Sequence, residues 1–164
     1  MHYIKTEFMD CSRLNVQRRA EVHDLFIKNI DKFQLIHEVD KYLFSHAGVY
    51  LEWTKKYEIT LLELFDFTKF LGGRWNTLED VSYTRGGWCK VGSCIWADIR
   101  ESVENELPVM FRQIVGHTQM QEKPYITTRI ACLDVRKCFI LDTETDEINE
   151  VTEKTIESTP EEIS

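Results

Sequence analysis

Apolar and polar positions alternate along this chain with two different periods. Between Asn15 and Asp31, Val22, Leu25, Phe26 and Ile30 fall on one face of a 3.6-residue repeat, and Arg18, Arg19 and Glu21 supply the wet side. This predicts a helix over 15–31 that needs a partner surface. Phe33 to Ile36 and Lys41 to Ser45 then read as a strand pair joined by a polar turn at 37–40, with Tyr42 and Phe44 alternating against Leu43. A second helix is predicted from Thr60, where Glu63 three residues on completes a capping box and Gly72-Gly73 supplies a stop. Its apolar residues from Ile59 to Leu71 leave little polar face, so burial on several sides is expected.

From Asn76 to Ser93 the punctuation changes to that of an extended loop, with Arg85-Gly-Gly-Trp88 and Gly92 in it. Long irregular segments in compact domains tend to serve a site. Trp75, Trp88 and Trp96 either fill the underside of this loop or stack on a ligand. Short β-rich runs close the chain at 112–115, 125–128, 130–133 and 138–141, the last expected to pair with 147–151.

Composition narrows the class. The 164 residues are 43% hydrophobic, enough for one domain with a substantial core. No run reaches the roughly 18 apolar residues of a membrane span, and the first residues resemble neither a basic leader nor a signal core, so the expected location is the cytoplasm with no membrane partner. The net charge of -8 is concentrated at the end, where nine acids stand against one base from Asp142 to Ser164. The remainder is neutral and lacks the basic surplus of a nucleic-acid binder. Residues 152–164 are expected to form an acidic flexible tail on a domain spanning 1–151. Five cysteines without a CxxC pair fit reduced structural thiols better than a disulfide framework or a cysteine zinc site.

Candidate chemistry lies in two similar turns, Phe44-Ser45-His46-Ala47-Gly48 and Val115-Gly116-His117-Thr118. In each, an apolar strand ends and a histidine follows at once beside a small residue. The sheet would hold such imidazoles facing a loop crevice where a metal or phosphate could sit, with glycine allowing close backbone approach. A histidine at a strand end also serves as an ordinary hydrogen-bonded structural residue, and the pattern alone does not decide between the two.

The two turns in order, with a helix and a Trp-rich loop between them, resemble the last two motifs of the calcineurin-like metallophosphoesterases, in the bacterial branch near the phosphoprotein phosphatases. Three blocks carry the resemblance: Tyr42-Leu-Phe-Ser-His-Ala-Gly-Val49, Gly92-Ser-Cys-Ile-Trp-Ala-Asp98 and Gln113-Ile-Val-Gly-His-Thr-Gln119. Gln119 agrees with that branch, since many wider-superfamily members place a second histidine there. The resemblance implies an α/β fold, a partial calcineurin-like β-sandwich with flanking helices that lacks its N-terminal half. It implies phosphomonoester hydrolysis at paired divalent ions (Mn, Fe or Zn), with His46 and His117 as neutral ligands of one of them and a phosphorylated protein or small phosphoester as substrate. Arg85 and Arg100 are candidates for contacting phosphoryl oxygens, either of which could instead make a surface ion pair. His2, His23 and His37 match no family ligand.

The family's three earlier motifs, which carry most metal ligands, are not found, and Met1-His2-Tyr3 resembles the residues that follow the third. The chain is therefore expected to be truncated, of doubtful activity alone, and to self-associate or take an N-terminal partner segment that covers an exposed sheet face. Two alternatives stand beside this: a non-catalytic remnant acting as a binding or oligomerisation module, and a mononuclear zinc or iron protein using His46, His117 and a nearby carboxylate.

Overall fold

The structure is a computed structural model, and it describes residues 15–108 and 110–152. The expectations for the N-terminal residues and for the acidic tail beyond 152 lie outside the described residues. A mixed five-stranded sheet organises the rest. Its strands are β1 (Ile36–Val39), β2 (Tyr42–Ser45), β3 (Arg112–Val115), β4 (Tyr125–Ile126) and β5 (Ile130–Cys132), in the order β1-β2-β3-β5-β4. β2, β3 and β5 run parallel, and β1 and β4 are antiparallel edges. The fold is mixed α/β with few helices, and no helix among the described residues is long and apolar enough to cross a membrane.

Strand alternation divides the core. Leu43, Gln113, Val115, Ile130 and Cys132 face the larger cluster, which includes Val49, Tyr50, Trp53, Leu64, Phe70 and Leu78. Tyr42, Phe44, Ile114 and Ala131 face the other side, where Leu141 and Ile148 pack on them. Those two residues belong to a separate antiparallel pair, β6 (Phe139–Leu141) and β7 (Ile148–Glu150), as the pattern at 138–151 predicts.

The helices are shorter than expected. Over 15–31 the chain forms a 3-10 turn, Val16–Arg18, then α1 (Arg19–Lys28), then a second turn, Ile30–Lys32. No residue of α1 is buried; Leu25 is 61% exposed, although Phe26 stacks on Phe33 with ring centroids 5.3 Å apart. The capping box at Thr60 forms as expected, with Glu63 N donating to Thr60 Oγ1 and Thr60 N donating to Glu63 Oε2, but α3 spans only Leu61–Leu64. Asp66 ends it by accepting the Thr68 N–H, an alternative to the helical ladder. Burial on several sides is therefore corrected: Leu64 and Phe70 are fully buried, whereas Leu62 is 80% exposed.

Two further differences concern turns and helices. Residues 37–39 lie in β1 rather than in the expected turn, and the reversal is a tight one at Asp40-Lys41, with Asp40 at φ 51°. A helix that the periodicity did not flag, α2 (Leu51–Lys56), follows the first histidine turn and buries Trp53, whose Nε1–H donates to Thr77 O at 2.9 Å.

Candidate metal and phosphate site

β2 and β3 are adjacent and parallel, paired Phe44 with Ile114, so the two histidine turns leave the same end of the sheet side by side. Gly116 N donates to His46 O at 3.0 Å and extends the ladder by one step. The next residue, His117, adopts a left-handed backbone with φ 65°, which costs a non-glycine residue on the order of 1 kcal/mol. The left-handed step brings its ring back to His46: His46 Nε2 and His117 Nδ1 are 2.8 Å apart, with ring centroids 4.6 Å apart. The C-terminal end of parallel strands is where ligands bind in open α/β sheets.

Several side chains hold this arrangement. Arg85 Nη2 donates to His117 O at 3.0 Å and to Thr118 Oγ1 at 3.1 Å, and Nε donates to Ala97 O at 3.3 Å. From below, the buried Cys132 thiol donates to Thr118 O at 3.3 Å. The indole of Trp96 meets the His117 ring edge-on at 5.5 Å. On the His46 side, Ser45 Oγ accepts from Gly48 N, where φ is 110°, and the Tyr50 hydroxyl donates to Asp98 O.

Burial and nearby charge favour the neutral form of both rings. Burial, then the Arg85 charge, holds His46 below the ordinary histidine range, and Asp134 opposes this. Burial, then Arg85 and the neighbouring His46, pushes His117 down to about 4. Neutral imidazoles offer lone pairs, as a metal ligand must. Across the 2.8 Å gap one nitrogen donates to the other, and His117 Nε2 is buried without a hydrogen-bond partner among the described residues.

Arg100 lies differently from Arg85. Its Nε and Nη2 form a fork on the two oxygens of Asp98, at 2.8 and 3.0 Å, while the side chain is 68% exposed. Asp98 is buried, which raises its carboxyl, but hydrogen bonds from the Arg100 guanidinium and backbone N–H, with the charges of Arg100 and of Arg85, whose Nε is 3.4 Å away, outweigh this and hold it below the usual range. The structure thus brings His46, His117 and Arg85 together and sets Arg100 beyond Asp98. Among the tryptophans, Trp88 is 89% exposed and Trp96 41%, so neither fills the underside of the loop.

Two acids that act on the site, the buried Glu101 and the half-buried Asp134, escaped the sequence reading. Glu101 accepts from Ser82 Oγ, Gly92 N and Asp98 N, which closes the irregular loop on itself. Asp98 and Glu101 form a capping box at the 3-10 turn Ile99–Val103, and the spacing Asp98-x-x-Glu101 was a readable signal for it. Asp134, which acts on both histidines, follows β5 with no pattern that marks it.

Among the described residues, no group of three or more His, Cys, Asp or Glu side chains could hold a metal ion. Comparison of the chain with protein-family models, curated proteins and solved structures finds no match in any of the three.

Proposed function

We propose that this chain carries part of a calcineurin-like metallophosphoesterase centre that hydrolyses phosphomonoesters, with His46 and His117 as ligands to one divalent ion. The observation that supports this most is the facing pair of neutral imidazoles, 2.8 Å apart at the ends of adjacent parallel strands, with a guanidinium beside them. His117 Nε2 is also buried and has no hydrogen-bond partner among the described residues, so the other ring nitrogen alone engages His46.

The two histidines fit as part of the donor set of a divalent transition ion. Both donors are imidazoles in their neutral form, and the two facing nitrogens could give their lone pairs to one cation in place of the hydrogen bond between them. When bound, paired ions in such a centre make hydroxide available near neutral pH and offset the charge on the phosphoryl oxygens. The remaining donors would come from outside the described residues or from water.

The chain's own residues supply position and charge. Arg85 uses Nη2 to hold the His117 turn and Nε to hold Ala97 O, which leaves Nη1 for a phosphoryl oxygen of the substrate. Asp98 fixes the guanidinium of Arg100 and touches that of Arg85, so both cations are oriented before substrate arrives. Trp96, edge-on to His117 and partly exposed, provides an apolar wall. The substrate class this favours is a phosphorylated protein or a small phosphoester.

Titration of the purified chain with Co²⁺, followed by visible absorption and calorimetry, tests the reading. One ion per chain is expected, lost in His46→Ala and in His117→Asn and retained in His37→Ala. Turnover of p-nitrophenyl phosphate with Mn²⁺ is the second measurement. Ion binding indifferent to both site substitutions would overturn the proposal.

A further inference from the structure

The opposite end of the sheet carries a second concentration of chemistry. Each of the three parallel strands begins at a cation: Lys41 precedes β2, Arg112 opens β3 and Arg129 precedes β5. Because the strands run side by side, the three side chains gather at one sheet end, where they line a concave basin of about 620 Å³. That volume lies within the roughly 300–1,000 Å³ of small-molecule sites. Asp146, from the turn between β6 and β7, is the one carboxylate in the lining, so the basin carries a net charge of +2 within a chain of -8.

The cations are fixed and still charged. Lys41 Nζ and the Tyr42 hydroxyl both donate to Asp146, and Arg112 Nη1 donates to Asp146 O at 3.0 Å. Arg112 Nη2 donates to Thr127 O at 3.2 Å and Arg129 Nη2 to Leu107 O at 2.9 Å. These carbonyls orient the guanidinium groups; Arg112 Nη1 also lies 3.9 Å from Asp146 Oδ1, so the carboxylate that pairs with Lys41 offsets part of the Arg112 charge as well. Arg112 Nε is buried and has no partner among the described residues. The rest of the wall is Thr127, Thr128 and an apolar part, in which Met110 is 76% exposed, Ile126 is 44% exposed and Phe111 is half-buried against the core.

We propose that this basin is a binding site for a small organic anion, with its carboxylate or phosphate head on Arg112 and Arg129 and an apolar body against Met110, Phe111 and Ile126. A surface groove that merely happened to be basic would have freely solvated lysines. Here two arginines are oriented by backbone carbonyls, one has an unfilled donor, and exposed apolar side chains stand beside them. Fixed donors of this kind lower the ordering cost of binding. The site lies at the other end of the strands from His46 and His117, and the inference does not rest on the phosphoesterase reading.

Backbone amide NMR shifts of the full chain, titrated with 4-phenylbutyrate and separately with phenyl phosphate, test it and show which head group the site prefers. Saturable shifts at Lys41, Arg112, Ile126, Arg129 and Asp146 are expected with at least one probe, and acetate, the head alone, should bind at least about tenfold more weakly. Arg129→Gln should weaken binding about tenfold, and Ile126→Glu, at an exposed position, should abolish it. Arg112 is avoided as a first variant because its bonds also hold Asp146 and Thr127. No saturable shift at these amides with either probe, shifts confined to His46 and His117, or unaltered binding in a folded Ile126→Glu protein would each overturn the proposal. So would binding of an acidic peptide without binding of either small probe.

Discussion

The side-chain amide of Gln113 pairs with both backbone groups of Val49: Oε1 accepts from Val49 N at 2.7 Å, and Nε2 donates to Val49 O at 2.8 Å. Gln113 is fully buried in β3, and Val49 lies three residues beyond His46. The amide acts as one extra rung of ladder, binding the loop after the first histidine turn to the strand that leads into the second. Gln113→Leu removes both bonds and leaves a buried N–H and C=O unpaired, so a loss of about 2–4 kcal/mol is expected. Urea denaturation measures it. A change within about 0.5 kcal/mol would show that Val49 finds other partners.

Which of these features could be read beforehand depends on the range of the interaction that creates them. Strands 42–45, 112–115 and 130–132 were legible because alternation and β-branched residues are local signals, and the capping box at Thr60 is local too. The early end of α3 at Leu64 was not, although Asp66-x-Thr68 is a local competitor that the run of apolar residues obscured. His46 and His117 could be named from their turns. Their 2.8 Å contact depends on parallel pairing of strands about 70 residues apart and on the left-handed backbone at His117, neither of which periodicity encodes. Gln113 looked like an ordinary polar position in a strand because its partner lies 64 residues away.

The left-handed backbone at His117 predicts an order of tolerance. Asparagine adopts φ near 65° readily, whereas a β-branched side chain resists it. His117→Asn is therefore expected to keep thermal stability close to that of the parent while losing the metal ligand. His117→Val should lose the ligand and a further 1–2 kcal/mol or so. Equal stability of the two variants would show that this turn is free to change conformation.

Stability should depend on pH through the same residue. Above pH 6.5 or so, His117 is neutral in both folded and unfolded chains and contributes no slope. As pH falls below that, the unfolded chain takes up a proton that the folded chain refuses until about pH 4. Stability attributable to His117 is thus present near pH 7, is lost progressively between about 6.5 and 4, and levels off below. Arg85 contributes to the depression at both rings, so Arg85→Met should raise the folded pKa of His46 and of His117 and flatten the slope. Histidine Cε1–H titration by NMR reads both values directly. A pKa for His117 that is unmoved by Arg85→Met would exclude the guanidinium as a cause.

Two glycines beside the site differ in what they require. The turn Val115-Gly116-His117 suggests that glycine admits close backbone approach at 116, yet the structure places that demand elsewhere. A Cβ on Gly116 would lie 3.7 Å from His46 O and 3.9 Å from Asp134 Cβ, ordinary contacts, and its backbone is outside the left-handed region. A Cβ on Gly92 would meet Ala97 N and Cα at 2.7 Å, backbone atoms that cannot rotate away, while Gly92 N must still reach Glu101 Oε2. Gly116→Ala is expected to change stability by less than about 1 kcal/mol and to leave Co²⁺ binding intact. Gly92→Ala should cost about 2 kcal/mol or more by forcing the Asp98–Glu101 turn away from the loop. That displacement would also loosen Arg85, which bonds Ala97 O, so the His117 pKa should rise in Gly92→Ala and stay low in Gly116→Ala. The reverse order of stabilities would mean that the approach of the two histidine turns, rather than the closure of the Gly92 loop, is the tighter constraint on the site.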